Sequence, residues 1–248
     1  MRTFLHRFST LYGASSGFLG YHFVGLCGLI FLLSLGTTAF GIAVALAAAS
    51  VSSNFAGPSI FERIPASALL LLVACSGFFN DFRLSALILV GALVFTPLIA
   101  AIGERGSISL LLQTARILVG WLPAGIAASS LIALALRDAS SAGLLLVLIF
   151  FHDVGLEVCA SGRFRHQFAP IMALSGSLAV LWTSVQLSVS PISPNHYWVF
   201  ACLFSVATLL GRLMMRLLPS RNDQRTSLLA SHVVVAPLWT AAAVVLNL

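Results

Sequence analysis

Residues 144–162 read LLLVLIFFHDVGLEVCASG. An unbroken apolar run from Leu144 to Phe151 leads into His152 and Asp153, and Glu157 follows four positions later. A run this apolar has no solvated face. It predicts a helix over 143–161 lying in hydrocarbon, about as long as the ~30 Å core of a bilayer at 1.5 Å per residue. The acidic pair is the anomaly, because the stretch that most clearly belongs in lipid also carries two carboxylates.

The same pattern extends in both directions. No formal charge occurs between Arg7 and Glu62, a length that breaks naturally near Gly36-Thr37-Thr38 into spans over 17–35 and 38–54. Further apolar segments follow over 64–79, 84–102, 117–136, 169–190, 196–215 and 228–248. The expectation is an all-α, polytopic membrane protein with about nine transmembrane helices. About four of these lie in residues 1–105 and about five in 106–248. Arg2 and Arg7 precede an apolar run as in a signal peptide, but the run is longer than a typical h-region, so it reads as a retained span. The 106–117 segment, which contains Arg116, reads as a loop before the fifth span.

Composition agrees. Of 248 residues, 59% are hydrophobic and 8% charged, and the mean hydropathy is +1.04. A soluble domain carries about 25% charged residues, so a soluble globular chain, a disordered chain and a secreted disulfide scaffold are all excluded. Cys27, Cys75, Cys159 and Cys202 sit in apolar runs without CxxC or Cys/His spacing and read as packing residues. All 13 basic residues are arginine, which excludes any mechanism that needs a lysine amine. The sequence pI is about 9.9, but the arginines are scattered between apolar stretches, so no nucleic-acid partner is expected.

The arginines instead report topology. With a cytoplasmic N-terminus, Arg2, Arg7, Arg63, Arg105, Arg116, Arg163, Arg165, Arg212, Arg216, Arg221 and Arg225 fall inside, and Arg83 and Arg137 outside. That bias is what the positive-inside rule requires of a multi-pass protein of the cell (inner) membrane. The longest polar stretches, Gly103–Thr114, Gly162–Phe168 and Leu217–Ser227, then all face the cytoplasm, where any chemistry should occur.

Asp153 and Glu157 share one helix face. A charge at mid-bilayer costs about 2.5–3.5 kcal/mol on insertion scales, so two acids here admit two readings. They could form a catalytic, Mg²⁺-ligating carboxylate pair, since Mg²⁺ prefers oxygen ligands. Alternatively, they could be structural, paired with Arg116 or Arg212. His152 is turned about 100° away from that face and reads as a packing histidine, as does His22. Arg163, Arg165 and Arg221 are candidates for phosphate recognition, because guanidinium forks match phosphate; headgroup-layer anchoring is the plainer reading of most loop arginines. Gly13–Gly20 (GASSGFLG) has serine-elbow composition but precedes the first span, and Ser175-Gly176-Ser177 reads as small-residue helix packing.

The segment HDVGLEVCASGRFRHQFAP (152–170) resembles the CDP-diacylglycerol synthase (phosphatidate cytidylyltransferase) family. In that family a membrane Asp is followed by a small-residue turn, a basic stretch and an Ala-Pro opening the next helix. Asp153, Gly155, Arg165, Ala169 and Pro170 occupy those places. ILVGWLPAGIAASSLIAL (117–134) and DQRTSLLASHVVVAPLW (223–239) extend the likeness, with Ser227-Leu228-Leu229 and Ala236-Pro237 in register. The departures are equally specific. Where the family continues Ser-Pro-x-Lys-Thr-x-Glu-Gly, this chain has IMALSGSLAV (171–180). Its long late signature shrinks to PSRNDQRTS (219–227), with Thr226 at the last Asp. The resemblance implies a divergent protein of phospholipid metabolism that lacks most of the catalytic signature. Its implied partners are a membrane lipid and, if it turns over, CTP with Mg²⁺. The alternative is a non-catalytic membrane protein that binds a lipid or partner or carries a small solute. A homo-oligomer is left open.

Overall fold

The computed structural model describes residues 19–52, 55–56, 59–103, 109–161, 168–217 and 232–246. The described residues are helical, with no strands, in nine α-helices. These are α1 (Leu19–Leu35), α2 (Thr37–Ser52), α3 (Ile60–Ser76), α4 (Phe82–Gly103), α5 (Leu110–Arg137), α6 (Ala139–Ser161), α7 (Ala169–Gln186), α8 (Tyr197–Leu217) and α9 (Val235–Val245). Six helical stretches, from Ile60–Phe79 to Pro194–Met214, are long and apolar enough to cross a membrane; α1, α2 and α9 are apolar but shorter. Large apolar side chains such as Val24, Phe31, Leu87, Ile102 and Trp198 point outward. Soluble monomers rarely expose such a surface, and together with the long apolar helices it makes this a multi-pass membrane protein.

The expected loop before the fifth span is instead helix. α5 starts at Leu110, where the Ser109 hydroxyl caps the Leu112 N–H, and it runs through Arg116. The arginine does not end the helix because its Nη1 reaches Glu62 on α3, 3.5 Å away, while its side chain stays partly exposed. α3 likewise begins at Ile60 rather than residue 64. Ser59 and Glu62 form a reciprocal capping box, in which each side chain accepts from the other end's backbone N–H.

Helix directions follow from side-chain partners. Gly120 and Gly125 of α5 meet Ala66 and Val73 of α3 in the same order along both chains, so α3 and α5 are parallel. Leu33 meets Gly143 while His22 meets Asp153, so α1 runs antiparallel to α6. Gly155 meets Ala173 while Leu148 meets Ser177, so α7 is antiparallel to α6. The N-termini of α1, α3, α5 and α7 therefore gather at one end, with the C-terminus of α6.

α5 is the hub, packing against α2, α3, α4, α6 and α9. Its inner surface is built from small residues, Gly120, Ala124, Ala127, Ala128 and Ala135, around Trp121. One continuous core runs from Phe40 to Ala243 and so includes helices on both sides of residue 105. With lipid outside, close backbone approach and interhelical hydrogen bonds carry association. Trp121 Nε1 donates to Thr96 Oγ1 (3.1 Å) between α5 and α4, and Thr240 Oγ1 to the Ser130 carbonyl (3.0 Å) between α9 and α5. Ser177 donates to the Leu148 carbonyl (3.1 Å), so Ser175-Gly176-Ser177 does serve the α6–α7 contact. Of the cysteines expected to pack, Cys159 is buried, whereas Cys27, Cys75 and Cys202 face outward, where lipid accommodates a thiol as readily as a core does. The Gly13–Gly20 motif lies almost wholly outside the described residues.

Two tests follow from this packing. A Cβ at Gly155 would sit 2.6 Å from Ala173 Cα, whereas one at Gly91 would meet nothing within 4 Å. Gly155→Val should lower stability in detergent by about 1–3 kcal/mol through overpacking, and Gly91→Ala should be neutral or stabilising by up to about 1 kcal/mol. Equal melting temperatures for the two variants would contradict the close α6–α7 approach. At the opposite end, Asp138 caps α6, accepting from the Ser140 and Ser141 N–H groups and hydroxyls. Partial burial pushes its carboxyl up, but those hydrogen bonds outweigh burial and hold it below the ordinary carboxylate value. Its contribution is thus present above the ordinary aspartate range and is lost as pH falls through the lowered value. Asp138→Ala should cost about 1 kcal/mol at neutral pH, with the difference from wild type closing in strong acid.

Candidate functional site

Three helix ends, the N-terminus of α1 and the C-termini of α6 and α8, contribute to one polar cluster. Asp153 sits two turns before the C-terminus of α6 and is buried, 8% exposed. Arg212, near the C-terminus of α8 and 3% exposed, donates from Nη2 to Asp153 Oδ1 at 3.0 Å. His152 Nδ1 lies 3.3 Å from the same oxygen, and His22 Nδ1 of α1 lies 3.5 Å from Oδ2. Each carboxylate oxygen therefore faces nitrogen, from three helices.

Neighbouring packing fixes these side chains. The His152 ring is fully buried and stands edge-on to Phe204 of α8 (centroids 6.3 Å). Phe204 in turn stands edge-on to Trp239 of α9 (6.3 Å), and Trp239 to Phe200 (4.7 Å). The aromatic run ties α6, α8 and α9 together beside the ion pair. A guanidinium 3% exposed and held on a carboxylate has lost most of its water, so the pair is interdependent: removing either partner leaves a buried charge uncompensated.

The cluster opens on a cavity of about 260 Å³ between α1 and α6. Its polar lining is Asp153, His22 and His232, which just precedes α9; Leu26, Leu29, Leu146, Ile149 and Phe150 complete the wall. Glu157, one turn beyond Asp153 and less buried, is not among the residues lining it.

Several sequence expectations can be placed. Of the two arginines considered as partners of Asp153, Arg212 is the one that pairs, while Arg116 serves Glu62. His152 packs as expected but also contacts the carboxylate of its neighbour. Arg163, Arg165 and Arg221 lie outside the described residues. No group of three or more His, Cys, Asp or Glu side chains in metal-holding geometry occurs among the described residues. Arg212 already occupies Oδ1 of Asp153, so a divalent cation held by Asp153 and Glu157 would stand beside a guanidinium. His22 and His232 are the residues that sequence reasoning missed. His22 lies 131 residues from Asp153 in sequence, and no local periodicity links them; only their rarity as polar residues in apolar context marked them.

Comparison with known proteins found no match: no family model matches the chain, and no curated protein or solved structure is significantly similar to it.

The ion pair can be tested directly. Arg212→Met or Asp153→Leu alone should destabilise the protein by about 3–5 kcal/mol, because each leaves a buried charge uncompensated. The double variant should recover much of that loss. Denaturation in mixed micelles measures all four proteins, and losses that simply add would show that the two side chains do not interact.

Proposed function

We propose that this chain is a nine-span protein of the cell (inner) membrane, N-terminus cytoplasmic, that binds a phospholipid at its cytoplasmic end. The observation that carries the reading is the cavity between α1 and α6: the Asp153 carboxylate, held from behind by Arg212, and two histidines line space that is otherwise apolar. Ionisable groups inside a membrane bundle are costly and commonly mark a ligand or ion path. An amphipathic lipid, polar at one end, suits such lining better than a small hydrophilic solute.

The topology is supported by two independent features. The end bearing the cluster also carries Arg63, Arg116, Arg212 and Arg216, against Arg83 and Arg137 at the other. The directions of α1, α3, α5, α6 and α7 are those that one crossing per helix requires. α1 and α2, of 17 and 16 residues, are roughly 24–26 Å long, short of the hydrocarbon core by an amount that local bilayer thinning accommodates.

Recognition here would be by hydrogen bonding. His22 and His232 can donate to a phosphate oxygen or exchange hydrogen bonds with a glycerol hydroxyl, Asp153 can accept from a hydroxyl or amine, and Arg212 stabilises the Asp153 charge from behind. The protein, purified in mild detergent, should retain a phospholipid identifiable by mass spectrometry. Asp153→Asn and His22→Ala should each lower that retention about tenfold, the equivalent of ~1.4 kcal/mol for one lost polar contact. Unchanged retention in both variants would remove the site from consideration.

The second reading is a divergent phosphatidate cytidylyltransferase, favoured by the resemblance of residues 152–170. Two of the matching positions also have packing roles, since Gly155 admits α7 and Pro170 lies in its first turn. Turnover would be attack of a phosphatidate oxygen on the α-phosphate of CTP with release of pyrophosphate. Pyrophosphate formed from phosphatidate, CTP and Mg²⁺, and abolished by Asp153→Asn with Glu157→Gln, would establish it. Binding without turnover would favour the first reading.

A further inference from the structure

A second cavity, of about 220 Å³ and open on one side, lies between α1, α2, α5, α6 and α9. It shares Leu29, Leu146 and His232 with the polar cavity, so the two chambers adjoin across those three residues. Away from His232 the wall is hydrocarbon: Val44, Ala48, Ala124, Ala128 and Leu131 are typical. Interiors are close-packed, with few voids larger than a water. A space this size lined by alanine is a place where side chains stop short. Water does not suit it, because a buried water needs two to four polar partners and His232 is the one lining side chain that offers a polar group. By comparison, a dry apolar cavity of about 150 Å³ is enough to hold benzene.

The chamber's lining extends along the helices. Its walls include Val44 to Val51 on α2 and Ala124 to Leu131 on α5, seven residues along each helix, or roughly 10 Å at 1.5 Å per residue. A groove of that length, apolar except at His232 and adjoining the polar cavity there, matches a hydrocarbon chain attached to a polar head.

We infer that the half-open apolar groove lined by α1, α2, α5, α6 and α9 holds one acyl chain of the bound lipid, with His232 at the junction of chain and head. This rests on the lipid-binding reading above and adds to it that the protein selects its ligand by chain as well as by head. Ala124, Ala127 and Ala128 are then specificity-determining residues: their small size leaves the slot open, and α5 holds them rigidly because it is the hub of the bundle.

The test uses the full chain in nanodiscs and phosphatidylethanolamine carrying a photoactivatable diazirine in one palmitoyl chain. Adducts are expected on peptides covering residues 44–51 and 124–131. Ala128→Trp, which fills the slot, should reduce labelling there roughly tenfold and shift preference towards shorter chains. Ala48→Leu, a smaller change, should act in the same direction if Ala128→Trp fails to fold. Labelling confined to the outward face of α4, or labelling of residues 44–51 and 124–131 that neither variant lowers, would overturn the inference. Headgroup retention separates the two readings. Retention lost in Asp153→Asn but kept, with no chain-length preference, in Ala128→Trp and Ala48→Leu would leave lipid binding standing and the chain slot refuted. Retention unaffected by Asp153→Asn and His22→Ala would refute the lipid-binding reading itself.

Discussion

A carboxylate taken out of water must be met by a cation or by hydrogen-bond donors, and in a bilayer there is no solvent to supply them. Asp153 satisfies that requirement through Arg212 on α8, His152 on its own helix and His22 on α1. Those partners reach one point only if α1, α6 and α8 bring their ends to the same level. The bundle's alignment at that end and the pairing of Asp153 are therefore one constraint, and the cavity beside it exists because the partners arrive from different helices and leave a gap between α1 and α6.

The rest of the bundle is held by a different kind of contact. Lipid removes the hydrophobic drive between helices, so proximity has to come from small residues and from hydrogen bonds between hydroxyls and carbonyls. α5 does this on several sides at once, with Gly120 against Ala66, Ser129 against Ser76, and Ser130 accepting from Thr240. Gly155 does it for α6 against α7. The same economy of side-chain volume that lets backbones approach leaves the alanine-walled chamber beside His232, so packing and ligand space share an origin.

Apolar runs identified the helices well, since a long hydrocarbon-facing segment is written continuously along the chain. They identified ends poorly wherever a charge had a distant partner. Arg116 reads as a break because a lone arginine is costly in lipid, yet Glu62, 54 residues earlier, lets α5 begin a full turn and more before it. Of the candidate site, Asp153 was legible because a carboxylate in an apolar run is anomalous wherever it points. Arg212 was legible as one of two partners. His22 and His232 were not, because a histidine among phenylalanines and valines looks the same whether it packs or lines a cavity.

Sequence alone determined that this is a helical membrane protein, which way its arginines bias it, and that Asp153 must have a partner. These follow from composition and one-dimensional order, because the cost of charge in hydrocarbon does not depend on which helices touch. Tertiary structure decided which arginine neutralises Asp153, that two histidines join it, and that a polar and an apolar chamber meet at His232. Those outcomes depend on the mutual placement of α1, α2, α5, α6, α8 and α9. That placement is set by close packing between residues far apart in the chain, and no local period records it.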